Sequence, residues 1–478
     1  MELETMAMVS RCEEPTLIEW FKQLPEDVLR ARPVLTVYYA FIALNYISLD
    51  VAEDLLRDAE RLLDIPVDAG GRSGDSTPEI VIVDEKAFRS LPGSIAVVRA
   101  FQAGALGDTA GTLNYARQAL DHLQEDDYFW RGAATAFSGI SYWTNGDLEA
   151  AHGAFTDGIA TLRMVGDTDI EVSGEYVLAN IRVAQGRLRE AERVYEWSIK
   201  ISIDHGEPVY LGTPDLFVGL SELQYEHGDM EAARQSLSKS EELGELAAIP
   251  ENHHRRYIAQ ARIKQAERDL EGAFDMLLEA ERRFVKSATP NLRPVSALKA
   301  KVLVAQGRLT EAMDWVREQG FSADDEISYP QEFEHITLAR VLIARYKSDP
   351  DTEQASGLIH DAAGLLARLL EAAEKFERTG SVIEILVQQA LACEAQNDIP
   401  AGLAPLERAL TMAGPQGYQR TFVDEGEPMR SLLQHAAAGG IGGDYTRRLL
   451  NAFETPAQPA SADFPAAAIT GLAEPLSE

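Results

Sequence analysis

A turn dipeptide, then an aliphatic residue, then an alanine recurs along this 478-residue chain at a nearly constant period. The turns are Gly107-Asp108, Gly146-Asp147, Gly186-Arg187, Gly228-Asp229, Arg268-Asp269, Gly307-Arg308 and Asn397-Asp398. The first six are spaced 39, 40, 42, 40 and 39 residues apart. Two residues after the first turn position stand Leu148, Leu188, Met230, Leu270, Leu309 and Ile399, with Thr109 the exception. Five after it stand Ala151, Ala191, Ala233, Ala273 and Ala312, with Thr112 and Gly402 at the two ends. A small residue lies seven before it: Ala100, Gly139, Ala179, Ser221, Ala261, Ala300 and Ala390. A larger one lies nine after it in most repeats: Phe155, Tyr195, Leu237, Leu277, Val316 and Leu406. Small residues at two fixed positions let two helices approach closely, and the larger one fills the groove to the next pair. Glycine supplies a left-handed helix stop, and aspartate can cap the helix that follows. A fixed period of this length with this logic defines an all-α helical-hairpin solenoid.

The array is expected to hold nine hairpins of about 40 residues over 33–433. At its start, Ala40, Ile47 and Ala52 keep the spacing, although Ile47-Ser48 replaces the glycine turn. Between Gly307 and Asn397 there is room for two repeats. Ala339 and Tyr346 open one of them, Lys347–Gln354 reads as an extended loop, and a helix follows around Leu358–Phe376. Residues 1–32 read as a linker with a lead-in helix. Segment 64–93, rich in Gly, Ser and Pro, reads as a flexible loop, with Glu79–Val83 as a candidate extended stretch. From 434 to 478 the glycine-rich HAAAGGIGGDY and the Pro/Ala-rich tail read as a C-terminal linker, with a turn or two of helix at Arg447–Phe453.

Composition narrows the function. Lys plus Arg number 44 against 77 Asp plus Glu, a formal charge of −33. Nucleic-acid affinity comes largely from neutralising phosphates, so this chain is a poor phosphate-backbone binder. Anionic membrane surfaces are disfavoured for the same reason, and no apolar run is long enough to span a bilayer. The acidic N-terminus is no signal peptide. The only cysteines, Cys12 and Cys393, suit free thiols in a reducing cytoplasm. No phosphate loop, dinucleotide fingerprint, zinc-protease helix or nucleophile elbow is present, so no catalytic or metal residues are assigned. His253 and His254 are adjacent and cannot share a helix face. Glu332, Glu334 and His335 suit helix-start charge better than an acid–base cluster.

In helical-hairpin solenoids of the tetratricopeptide (TPR) kind, right-handed superhelices, the first helix of each pair lines the concave surface. The positions around its small residue then give the groove. They are Trp143 and Thr144; Tyr176 and Asn180; Glu222, Tyr225 and Glu226; Ile258, Arg262 and Gln265; Lys301; and Arg340 and Ile343. The candidate ligand-binding residues are Trp143, Tyr176, Asn180, Glu222, Tyr225, Arg262, Lys301 and Arg340. Aromatics mixed with hydrogen-bonding groups suit a small polar organic ligand or a peptide.

Several stretches, YPQEFEHITLARVLIA (329–344), GLLARLLEAAEKFERTGSVIEILVQQALACEAQND (364–398) and LAPLERALTMAGPQGYQRTFVDEGEPMRSLL (403–433), resemble the helical-repeat region of the MalT-like, large ATP-binding LuxR-type transcriptional regulators. FVGLSELQYEHGDMEAA (217–233) and residues 18–44 resemble the same family, and FVDEGEP (422–428) is the most specific tag. The resemblance covers roughly residues 15–433. It implies a sensor between an upstream ATP-hydrolysing module and a downstream helix-turn-helix domain. Neither outer part is recognised here, although the closing EPLSE (474–478) resembles the opening of the DNA-binding domain. No cofactor is therefore expected within these residues, with ATP belonging to the upstream module. The implied partners are a small-molecule inducer or a regulatory protein, with self-association in the whole regulator. The alternative is a TPR-type protein-interaction scaffold with no small-molecule ligand.

Overall fold

The computed structural model describes residues 14–63, 80–165, 168–206, 209–244, 248–249 and 251–454, with single positions 5 and 8. Cys12, residues 64–79 and residues 455–478, which include much of the expected loop and tail, lie outside the described residues. Among the described residues every regular element is helical, and no helix is long and apolar enough to cross a membrane.

Nine hairpins follow one another at the expected places. They are Pro33–Tyr46 with Leu49–Leu63, Leu91–Leu106 with Thr109–His122, Tyr128–Thr144 with Leu148–Arg163, and Thr168–Ala184 with Leu188–His205. Next come Thr213–Glu226 with Met230–Glu242, Asn252–Ala266 with Leu270–Arg282, and Val295–Ala305 with Leu309–Gln319. Glu332–Ser348 with Glu353–Lys375 and Thr379–Ala395 with Ile399–Ala413 complete the nine.

The repeated dipeptide does the work its chemistry suggests. The first turn position is left-handed at Gly107, Gly146, Gly186, Gly228 and Gly307, and Arg268 and Asn397 take the same conformation at φ 64° and 59°. The N–H that follows reaches back to a carbonyl of the last helical turn: Asp147 to Tyr142 at 3.0 Å and Asp229 to Gln224 at 2.8 Å. This is the Schellman closure of a helix C-terminus. Where the second position is aspartate, its carboxylate caps the next helix, as Asp229 does for the Ala232 N–H at 3.0 Å. Arg187 and Arg308 supply no side-chain cap, so that bond is optional. The small positions mark the closest helix approaches. A Cβ added to Gly139 would stand 2.7 Å from the Phe155 ring, the large residue of its own repeat.

Several boundaries differ from the sequence expectation. Within 64–93, a short helix Glu85–Arg89 and the start of Leu91–Leu106 are formed, because Asp84 caps Lys86 and Ala87 and Leu91 is buried. Of the expected extended stretch Glu79–Val83, Glu79 lies outside the described residues and 80–83 form no strand, with the Val81 N–H donating to the Ala31 carbonyl at 2.8 Å. The loop expected at 347–354 shrinks to 349–352, since both flanking helices run further. The expected linker from 434 is helical to 454: Glu427–Ala438 and Gly443–Glu454 pair as a tenth, short hairpin that buries Met429, Leu432, Leu433 and Leu449. Helices Glu14–Gln23 and Glu26–Arg30 pack on the first hairpin, with Phe21 stacked on Tyr39 at 4.3 Å.

The superhelix returns on itself with a register of four hairpins. The connection after the sixth hairpin places Ala288 against Gly104 of the second. Tyr329, after the seventh, covers Gly146 of the third, and Gly380, after the eighth, abuts Gly186 of the fourth. Gln419, after the ninth, covers Gly228 of the fifth. One superhelical turn is thus seated on the next.

A matched pair of variants separates backbone strain from this seating. Gly186 and Gly307 have nearly the same φ, 75° and 73°, but a Cβ at Gly186 would meet the Gly380 nitrogen at 2.9 Å whereas one at Gly307 meets nothing within 4 Å. Gly307→Ala should cost about 1–2 kcal/mol from the left-handed backbone alone, and Gly186→Ala clearly more, read as thermal midpoints of the two proteins. Equal losses would show that the successive turns are not in contact.

Candidate functional site

The stacked turns convert the concave groove into a cavity of about 680 Å³, walled by residues from Gly104 to Glu425. The first helices of hairpins three to seven form one wall. The connections after hairpins six, seven and nine form the other.

Seven of the eight candidate residues line this space: Trp143, Tyr176, Asn180, Glu222, Tyr225, Arg262 and Lys301. Arg340 does not. Its guanidinium grips both carboxylate oxygens of Glu425, one at 2.7 Å, behind the wall. Of the secondary groove positions, Thr144, Glu226, Ile258 and Gln265 line the cavity, and Ile343 instead joins the core.

Several of these residues are committed to the fold. Tyr225 is buried and its hydroxyl donates to Asp424, whose carboxylate also pairs with Arg420. Tyr176 is buried against Tyr195 and lies beneath the Arg255 guanidinium at 4.8 Å. Truncating either to alanine should therefore damage packing as well as any ligand contact, contrary to the reading of both as exposed groove residues. Asn180 donates to the Tyr176 carbonyl at 2.8 Å, and Arg262 pairs with Glu222 at 3.3 Å.

Of the groups that close the cavity, Glu226 is a groove position and its partners are not. Glu226 accepts from the Thr421 N–H at 2.9 Å through its carboxylate, and its own carbonyl accepts from the Gln419 N–H at 3.0 Å. His227 meets the Gln416 carbonyl at 3.2 Å. These bonds hold 416–425 onto the fifth hairpin, so the FVDEGEP tag is a closing segment. Arg293 pairs with Glu384 at 2.8 Å and covers the Phe333 ring. Arg378, the largest fully buried side chain, binds Glu332 through two nitrogens at 2.5 and 3.2 Å and stacks on Tyr329. Glu332 is thus a structural counter-ion. His335 bonds separately to the Gln331 carbonyl at 3.0 Å and to Asp325 at 3.3 Å. His254 meets the Ala280 carbonyl at 2.8 Å. Among the described residues no group of three or more His, Cys, Asp or Glu is placed to hold a metal ion.

Burial dominates the electrostatics. It raises Glu226, against the opposing Thr421 hydrogen bonds. Burial also acts on Glu384, but Arg293, Lys301 and Arg340 outweigh it and hold that carboxyl low. Asp215, fully buried, is pushed up to about 7 by burial, although Arg255 at 3.5 Å and the Ile249 N–H oppose the rise.

Fold and cavity together define a helical-repeat protein whose superhelix encloses a space of ligand size. The chain belongs to the MalT-like TPR region family, whose model matches residues 93–438. No curated protein sequence matches it significantly. Among solved structures it is similar to a Rap protein complexed with Competence and Sporulation Factor, at 11% identity and a TM-score of 0.53, covering 80% of this chain and 98% of that one. It is also similar to the Rap conjugation gene regulator of plasmid pLS20 with the Phr* peptide, at 12% identity and a TM-score of 0.34, covering 82% and 97%. A human IFIT1 dimer with m7Gppp-AAAA matches at 13% identity and a TM-score of 0.36, covering 86% and 95%.

Two outcomes follow from the buried charges. Arg378→Met leaves Glu332 buried and unpaired and should cost about 3–5 kcal/mol of stability, measured by denaturant unfolding. A raised folded-state carboxyl favours the fold below its unfolded value and loses that advantage as pH rises through the folded value. Asp215 should therefore withdraw at most about 4 kcal/mol between pH ~4 and ~7. The stability of the chain relative to Asp215→Asn should fall across that window and level off above it. A flat difference would place the carboxyl's folded pKa at its ordinary value.

Proposed function

We propose that this chain is the effector-sensing helical-repeat region of a bacterial LuxR-type, MalT-like transcriptional regulator, and that a small organic molecule is its effector. The observation that carries the reading is the cavity's position: it is open to solvent in part but lies between two stacked superhelical turns, so an occupant touches both. A ligand shifts a conformational equilibrium only by its differential affinity for the two states. One that bridges hairpins three to five and the 416–425 segment favours the closed arrangement. Opening would present that segment to other parts of a cytoplasmic regulator. An upstream ATPase module, self-association and a DNA-binding domain belong to that whole protein.

The scaffold alternative needs a groove free to take a partner's helix or peptide. The Rap protein with its bound factor gives a precedent for a repeat superhelix that holds a partner. Here the connections after hairpins six, seven and nine occupy the concave side, which favours an occupant smaller than a helix.

A thermal-shift screen with sugars, amino acids and other central metabolites tests the reading. A binder of the folded state should raise the midpoint with concentration. Arg262→Gln, altering a half-exposed cavity residue, should weaken that binder several-fold while leaving the unliganded midpoint nearly unchanged. A screen without hits, together with a stoichiometric protein partner, would favour the scaffold.

A further inference from the structure

We propose that the effector is an organic anion whose carboxylate or phosphate group is received by Lys301. The inference rests on the cavity being the effector site and names the ligand's chemical class.

Lys301 stands on helix Val295–Ala305, between Ala300 and Val302, both buried. It lines the cavity and makes no hydrogen bond and no ion pair. The charged groups that act on it are Arg340, Glu425, Asp424 and Glu384. Each of these carboxylates already has an arginine: Glu425 has Arg340, Asp424 has Arg420, and Glu384 has Arg293. The other arginines in the wall are likewise engaged, Arg262 with Glu222 and Arg255 with Asp215. Lys301 is therefore a cation whose carboxylate neighbours Glu425, Asp424 and Glu384 each have an arginine closer to hand, in a wall that also carries Glu226 and Glu251. Burial, and then the Arg340 charge, hold its pKa below the ordinary lysine range. The other lysine of the wall, Lys286, is fully exposed and needs no partner.

A partly buried ammonium with no bonded partner gains one when an anion arrives. Lysine presents a point charge with rotatable donors, which suits a carboxylate or phosphate approached from one side. The aromatic walls at Tyr176, Tyr329 and Phe333 would take the body of the same molecule.

The test titrates inorganic phosphate and, separately, acetate into the chain by calorimetry at constant ionic strength. At least one should bind saturably with a Kd of about 10 mM or tighter, and which one does tells phosphate from carboxylate recognition. Lys301→Met should lower that affinity at least tenfold, and Lys375→Met, at an exposed helix end outside the cavity, should leave it unchanged. Lys301→Met without ligand should keep the parent's helical circular dichroism. Should that variant not fold, Lys301→Gln serves the same comparison, and Lys301→Arg should retain binding. Absence of saturable binding by either ion, or equal affinity in the Lys301 and Lys375 variants, overturns the proposal. A neutral metabolite that binds chain and Lys301→Met equally overturns it while leaving effector sensing intact. Anion binding at Lys301 with no metabolite binding anywhere does the reverse.

Discussion

The contact on which this molecule depends is the seating of three repeat turns, and of Gly104 in the second hairpin, on segments four hairpins further along the chain. It constrains both partners. The turn must be a left-handed residue without a side chain, as at Gly146, Gly186 and Gly228, because Tyr329, Gly380 and Gln419 occupy the space a Cβ would need. The connection must satisfy its own backbone against the earlier hairpin, as Gln419 and Thr421 do on Glu226. An open solenoid interacts only between neighbouring repeats. This one adds long-range contacts, and the cavity is their consequence.

Charge is organised around the same seam. The chain is strongly acidic, yet several of its buried charges pair within the second superhelical turn: Arg340 with Glu425, Arg378 with Glu332, Arg293 with Glu384. Buried pairs add little net stability over apolar packing but penalise any arrangement that separates them. They therefore fix hairpins eight and nine against the connections beside them, behind the seam. The cavity wall carries both signs, with Arg255, Arg262, Arg293 and Lys301 set among Glu222, Glu226, Glu251, Glu332, Glu384, Asp424 and Glu425.

The hairpins were legible because their signals are local. A left-handed turn, a capping aspartate and small residues at fixed offsets recur whatever the superhelix does, and even Arg268 and Asn397 could be placed by their neighbours. The inner-face rule likewise brought seven of eight candidate residues to one cavity. It failed at Arg340 and overstated the freedom of Tyr225 because their partners, Glu425 and Asp424, lie in a connection and outside the repeat frame. No periodicity reports which loop returns to which turn. FVDEGEP stood out in the text, but its role as the closing segment required Glu226 and Tyr225 to be seen opposite it. The helix 443–454 was read too short, as a turn or two at 447–453, for a related reason: its glycine-rich approach reads as a break, while Tyr445 bonds to the Tyr418 carbonyl and Leu449 is buried.

The central claim is that the superhelix closes on itself. Arg193 and Arg448 are exposed on opposite sides of the outer cleft between the fourth hairpin and the C-terminal helix. Spin labels at these two positions, in a chain whose Cys12 and Cys393 have been replaced, report the closure directly by pulsed electron resonance. The closed superhelix gives one short, narrow distance distribution. A long or broad distribution in the unliganded chain, unchanged by any added ligand, would mean that the turns are not seated and that no enclosed cavity exists in solution.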